Sequence, residues 1–96
     1  MTNGTLPLQI AIKALGLTGE IITTPFSYVA TTSSVVWEGC TPVFVDIHPD
    51  HYTIHVSKIK EKITSKTRAL IPVHLYGQPA DMESIIDIAN EYALYV

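Results

Sequence analysis

Four stretches of this 96-residue sequence combine residue types that could do chemistry. Asn3-Gly4-Thr5 stands at the head of an apolar, helix-like stretch. Small residues let the backbone come close to an anion, and a helix N-terminus presents N–H groups and the positive end of the peptide dipole. A phosphate fits such a place, and an ordinary N-cap uses the same residues. Neither G-x-G-x-x-G nor G-x-x-x-x-G-K-[ST] occurs, which excludes the dinucleotide fingerprint and the P-loop. The second stretch is Thr23-Thr24-Pro25-Phe26-Ser27-Tyr28, just after a β-branched run. Ligands in open α/β sheets bind at the carboxyl ends of strands. Tyr28 there could stack on a planar ring or pack within its loop.

The third stretch holds Asp46, His48, Asp50, His51 and His55, all metal-capable side chains. Zinc needs three or four ligands converging in tetrahedral geometry. The H-x-x-H-x-x-x-H spacing falls in a loop with Pro49, away from any helix face, so the spacing alone does not bring these rings together. The expectation is a solvated polar loop and no metal. The fourth is His74, at the end of a predicted strand, either a hydrogen-bonded structural residue or a residue of a ligand edge. Cys40 has no basic neighbour and reads as a buried, inert thiol. As the sole cysteine it excludes an internal disulfide and a Cys-pair zinc site. No G-x-S-x-G elbow is present, and Glu83 and Asp87 share an outward helix face rather than a catalytic pair.

These residues need elements to place them. Leu8, Ile10, Ala11, Ala14 and Leu15 recur at helical spacing behind Thr5 as N-cap, and Gly16 and Gly19 end that helix. Glu20 to Thr24 reads as a strand closed by Pro25. Tyr28 to Glu38 reads as a helix because strands flank it, and Pro42 to Ile47 as a buried parallel strand. A loop follows, with a short extended piece at 52–54. Ser57 is expected to cap a helix to about Thr64, and Arg68 to His74 forms another buried strand. Tyr76-Gly77-Gln78-Pro79 turns, a helix runs from Ala80 or Asp81 to about Tyr92, and 94–96 begins a further strand. Strands alternating with helices imply a three-layer α-β-α fold around a mostly parallel sheet.

Composition narrows the class of function. Hydrophobic residues make up 47% and charged residues 16%, which is too apolar for a disordered chain, and the length fits one small domain. The formal net charge is −3, and five of the six basic residues fall between Lys58 and Arg68 without interleaved aromatics. Nucleic-acid binding is therefore not expected. No signal-peptide pattern and no apolar run of about 20 residues occurs, so a membrane is not expected either. The lone cysteine suits the reducing cytoplasm. By these residues alone the chain is an α/β layer with a possible anion and ring site, equally a free-standing binding module without catalysis.

Longer matches resemble a known family. Asn3-Gly4-Thr5 with its helix, and Ile22-Thr23-Thr24-Pro25-Phe26-Ser27-Tyr28-Val29-Ala30-Thr31, are similar to the early part of the DegT/DnrJ/StrS-type sugar aminotransferases of fold type I. Gly39 to Ile47 resembles that family's G-x-x-P-V-F-V-D-I/V strand. Thr64 to Met82 resembles its T-x-K-T-K-A-I-I-P-V-H-x-x-G-x-P-A-D-M segment. The resemblance covers essentially the whole chain. It implies pyridoxal 5′-phosphate (PLP) as cofactor, its phosphate held by Gly4 and Thr5, its ring stacked on Tyr28, and His74 near the pocket. It also implies amino transfer from glutamate to a nucleotide-linked keto sugar, in a homodimer. Relatives often carry Asp in the loop that holds the three histidines. The family's Schiff-base lysine and the aspartate that pairs with the pyridinium nitrogen match nothing here, and Lys13, Lys58, Lys60, Lys62 and Lys66 fit no Schiff-base motif. The expectation is a truncated part of the PLP-binding large domain, with both ends inside that domain, no catalytic residue of its own and no transamination alone.

Overall fold

The computed structural model describes residues 5–74 and 79–96. The helix α1 (Thr5–Ala14) starts at Thr5 itself, one position inside the cap expected there. The helix α2 (Ala30–Trp37) is shorter than the 28–38 span expected. Both end at a glycine in the left-handed region, Gly16 at φ 64° and Gly39 at φ 80°, where a side chain is disfavoured. The next amide then reaches five residues back, Leu17 N–H to Ile12 O at 3.2 Å and Cys40 N–H to Val35 O at 3.0 Å. This closure sets Leu17 with Ile12, and Cys40 with Val35, in one buried cluster.

Between and beyond these helices lie β1 (Glu20–Thr23), β2 (Thr41–Phe44) and β3 (Thr67–Leu70). They form a parallel sheet in the order β2-β1-β3, with Ile22 opposite both Val43 and Leu70. Tyr95 adds a parallel bridge beside Ala69 beyond β3, as the strand expected at 94–96 begins to do. Successive residues of β1 point to opposite faces. Ile21 joins Ile12, Val35 and Ala69 under α1 and α2. Ile22 joins Val45, Ile59, Leu70, Ile85 and Ile88 on the other face, where the helices α3 (Ile59–Lys62) and α4 (Met82–Tyr92) lie. Burying one such side chain stabilises the fold by about 1.5–3 kcal/mol. The three-layer α-β-α reading is what the chain forms, and among the described residues no helix is long and apolar enough to cross a membrane.

Several expectations need correction. The strand read as buried, β2, is parallel but only half-buried, because among the described residues β1 is its sole sheet neighbour. An apolar run cannot distinguish a central strand from an edge strand with helices on its faces. In α1 only Ile12 is buried, while Ile10 and Leu15 stay exposed. The helix meets the sheet and α2 along one line and leaves its other apolar stripe outside. Ser57 caps no helix. Its Oγ shares a 2.7 Å hydrogen bond with His55 Nδ1, and Val56–Lys58 forms a 3₁₀ turn before the single turn of α3. Thr64 then turns the chain, donating to the Glu20 carboxylate at 2.7 Å while its N–H donates to Thr67 Oγ1 at 2.9 Å. The turn expected at 76–79 lies mostly outside the described residues.

The helix α4 begins as its sequence predicts. Asp81 accepts the Ser84 N–H at 3.3 Å and the Ser84 hydroxyl at 2.8 Å. It ends on Ala93 at φ 56°, with Leu94 N–H closing on Ala89 O at 2.8 Å. That is the glycine position of the same closure, filled by alanine, and the left-handed region costs an L-residue about 1–2 kcal/mol. Ala93→Gly should therefore raise the unfolding free energy by up to about 1 kcal/mol after the glycine's greater unfolded-state entropy is counted. Urea denaturation checks this, expecting a higher midpoint at unchanged slope.

Candidate functional site

The order β2-β1-β3 means that the chain leaves β1 toward one neighbour and later returns to pair on the other side. The loop after β1 rises to α2 on one face, and the loop after β3 leads to α4 on the opposite face. The carboxyl ends of β1 and β3 therefore mark the switch point of the strand order, where open α/β sheets bind ligands. The root of this edge is polar and fixed. Thr23 is fully buried and donates its hydroxyl to Ile71 O at 2.8 Å, tying the two loops together at their root. Ile71 N–H donates to Ile22 O at 2.8 Å just below.

The loop after β1 is held by hydroxyls. Thr24 is buried and its Oγ1 accepts the Phe26 N–H at 3.2 Å. Ser27 N–H donates to Pro25 O at 2.9 Å, and the Ser27 and Thr31 hydroxyls share a 2.8 Å hydrogen bond. Tyr28 follows with 79% of its surface exposed. Phe26, in contrast, lies against Tyr52, with ring centroids 6.1 Å apart. Ser27 and Thr31 are not legible from the sequence as a pair, although hydroxyls four apart at the head of a helix are the available signal.

The helices α1 and α2 each lead by a short turn into the start of a strand, β1 and β2 respectively, and both pack on one face of the sheet. Each therefore runs antiparallel to the strands, and each N-terminus lies at the carboxyl edge. This puts Thr5, the first residue of α1, on the same edge and the same side as Tyr28. No acidic residue stands in the first turn of either helix, and the positive end of a helix dipole favours an anion. Gly4 lies outside the described residues. His74 stands after β3, and its Nδ1 accepts the Ala80 N–H at 3.0 Å, which makes it a brace across the start of the α4 connection.

The histidine loop departs from expectation, because the chain does bring its rings together. Tyr52 takes φ 60° and folds the loop into a hairpin. In it Ile47 bridges Ile54, His48 N–H donates to Thr53 O at 2.7 Å and His55 N–H to Asp46 O at 2.8 Å. His48 and His55 then share one hairpin face. The His48 ring centroid lies 5.1 Å from His55 and 4.6 Å from His51. The His48–His55 pair is stacked at 25°, so their in-plane lone pairs run side by side instead of converging. His48 Nδ1 also accepts the Asp50 N–H at 3.2 Å. Among the described residues no group of three ligating side chains is arranged to hold a metal ion.

Two clefts of about 330 Å³ each are formed by the described residues. One, between α1 and the β3 side, is almost wholly apolar, with Leu8, Ile12, Leu15 and Ile71 in its wall. The other is lined by Pro25, Phe44, Asp46, Lys58, Glu61 and Lys62. Cys40 is buried and donates to Leu17 O at 3.4 Å. Burial pushes its thiol pKa up, and the Glu38 carboxylate adds to the rise. A raised pKa leaves less thiolate at any given pH. Reaction with a disulfide reagent at pH 8 should accordingly be at least about tenfold slower in the folded chain than in urea, where the thiol returns to its ordinary range.

A model of the DegT/DnrJ/EryC1/StrS aminotransferase family matches residues 1–96. The dTDP-4-amino-4,6-dideoxy-D-glucose transaminase of Escherichia coli is 51% identical over 94 residues, covering 98% of this chain and 25% of the enzyme. The aminotransferase of Psychrobacter cryohalolentis superposes with a TM-score of 0.96 at 42% identity, over 100% of this chain and 25% of that one. NtdA of Bacillus subtilis, solved with its cofactor PMP bound, gives a TM-score of 0.91 at 42% identity, over 94% of this chain and 21% of that one. The chain thus spans about a quarter of the length of the relatives it matches.

Proposed function

Since this chain belongs to the DegT/DnrJ/EryC1/StrS aminotransferase family, we propose that residues 1–96 form the phosphate end and the ring face of a PLP site. We place them in the large domain of an enzyme that moves an amino group from glutamate to a nucleotide-linked keto sugar in the cytoplasm. The observation that carries this reading is Tyr28, an aromatic ring 79% exposed after β1 at the sheet's switch point, just before a helix whose first turn holds no acidic residue. The donor set suits the cofactor. Helix N-termini take a phosphate dianion, and an outward tyrosine offers a flat apolar face to a pyridine ring. Bound PLP supplies the electron sink for amino transfer.

In this reading Gly4 and Thr5 hold the phosphate with backbone N–H groups and a hydroxyl. Tyr28 covers one face of the ring and excludes water from it. The Thr23 hydroxyl keeps the loops after β1 and β3 at a fixed spacing, and His74 braces the second of them. The nucleotide-sugar assignment draws on relatives such as the E. coli dTDP-sugar transaminase.

In this reading none of the five lysines is the Schiff-base lysine. Lys13 ends α1, and Lys66 precedes β3, its carbonyl accepting from Glu20 N–H at 2.9 Å, both at the opposite edge of the sheet. Lys60 is ion-paired with Glu91 at 3.0 Å. Lys58 and Lys62 line a cleft together with Pro25, Phe44 and Glu61. A second copy of the chain is the partner that suits the outward side of α2, where Val29, Val36 and Trp37 stay exposed along the helix, Trp37 at 78%.

Borohydride reduction in the presence of PLP, followed by peptide mapping, tests the reading. The expected result is no single preferred phosphopyridoxyl-lysine and no transamination. Stoichiometric labelling of Lys58 or Lys62 with turnover would overturn it. In the same preparation sedimentation velocity should show a dimer that Trp37→Glu converts to monomer, and an unchanged distribution would remove the proposed contact.

A further inference from the structure

Resting on that reading, we infer that the Ser27–Thr31 hydroxyl pair is a positioning device that sets the direction of the Tyr28 ring. Little else can set it. The Tyr28 side chain is 79% exposed, and among the described residues no other ring stacks on it. Its direction follows from its own backbone and from a rotamer chosen by that backbone. The backbone is tied on both sides. Upstream, the Phe26 N–H donates to Thr24 Oγ1 at 3.2 Å and the Ser27 N–H to Pro25 O at 2.9 Å. Downstream, the Thr31 N–H donates to Tyr28 O at 3.1 Å and the Ser33 N–H to Val29 O at 2.8 Å. The 2.8 Å hydrogen bond between Ser27 and Thr31 is the side-chain link that closes these two halves across Tyr28.

The start of α2 adds a second observation. Its N-cap residue is Val29, which makes no side-chain capping bond, so the usual hydroxyl or carboxylate anchor of a helix start is missing there. Thr31 is buried inside the first turn, where a threonine has no propensity advantage and its hydroxyl needs a partner. Ser27 is that partner. The pair therefore ties the loop to the helix, from one residue before the ring-bearing position to three residues after it.

Titration of the chain with pyridoxamine 5′-phosphate, which forms no Schiff base with surface lysines, tests the inference when combined with amide hydrogen exchange. Thr31→Val should weaken binding about fivefold, the scale of one lost hydrogen bond, and reduce the induced circular dichroism of the bound ring. The melting curve should stay cooperative, and Thr31→Ser should restore both signals. The amides of Ser27 and Thr31 should exchange faster in Thr31→Val than in the parent chain. If Thr31→Val does not fold, Ser27→Ala is read in the same way. Parent-like binding and exchange in the variants, with binding lost in Tyr28→Ala, would overturn the inference and leave the cofactor reading standing. If the parent chain binds no pyridoxamine phosphate, the cofactor reading fails, and the exchange rates alone decide whether the pair locks the loop.

Discussion

Everything at the carboxyl edge depends on β1 being paired in parallel on both sides. Ile21, Ile22 and Thr23 are fully buried, and each adjacent strand is held in register against them. Because the pairing is parallel, every connection must cross a face of the sheet. Because β2 and β3 flank β1 on opposite sides, the loops after β1 and β3 must part. The parting of the loops is a consequence of strand order, and the Thr23 hydroxyl on Ile71 O fixes their spacing at the root. Without that central strand neither Tyr28 nor the N-terminus of α1 would face a common space.

Helix direction does the rest. A helix that ends in a short turn before a parallel strand starts at the strand's far end, so α1 and α2 both deliver their positive termini to the ligand edge. The glycine closures at Gly16 and Gly39 make those turns short, and each buries a side chain as it closes. Local backbone chemistry in this way places groups that lie more than twenty residues apart in sequence.

Much of this was legible in the residues. The α/β alternation, the strand at 20–24, the helix start at Ala80 or Asp81 and the buried thiol of Cys40 each rest on local chemistry that the chain obeys. The misreadings share a cause, since tertiary neighbours decide them. Whether β2 is central or at an edge depends on what pairs with it. Whether Ile10 or Ile12 of α1 turns inward depends on where the sheet lies. The three histidines meet because Tyr52 adopts a left-handed turn that nothing in the H-x-x-H-x-x-x-H pattern announces. Ser27 and Thr31 escaped notice because a hydroxyl pair has no compositional signature. The roles proposed for Gly4, Thr5 and Tyr28 rest on the resemblance to a family and not on local chemistry.

The central claim is that one edge of this sheet receives a pyridoxal-type phosphate. Backbone amide NMR during titration with pyridoxamine 5′-phosphate tests it most directly, because each amide reports its own surroundings. The account predicts saturable shifts concentrated at Thr5, Leu6 and 26–30, with a smaller response at His74. Saturable shifts centred instead on the 46–55 hairpin or on the Lys58–Lys62 cleft, or no saturable shifts at all, would contradict it.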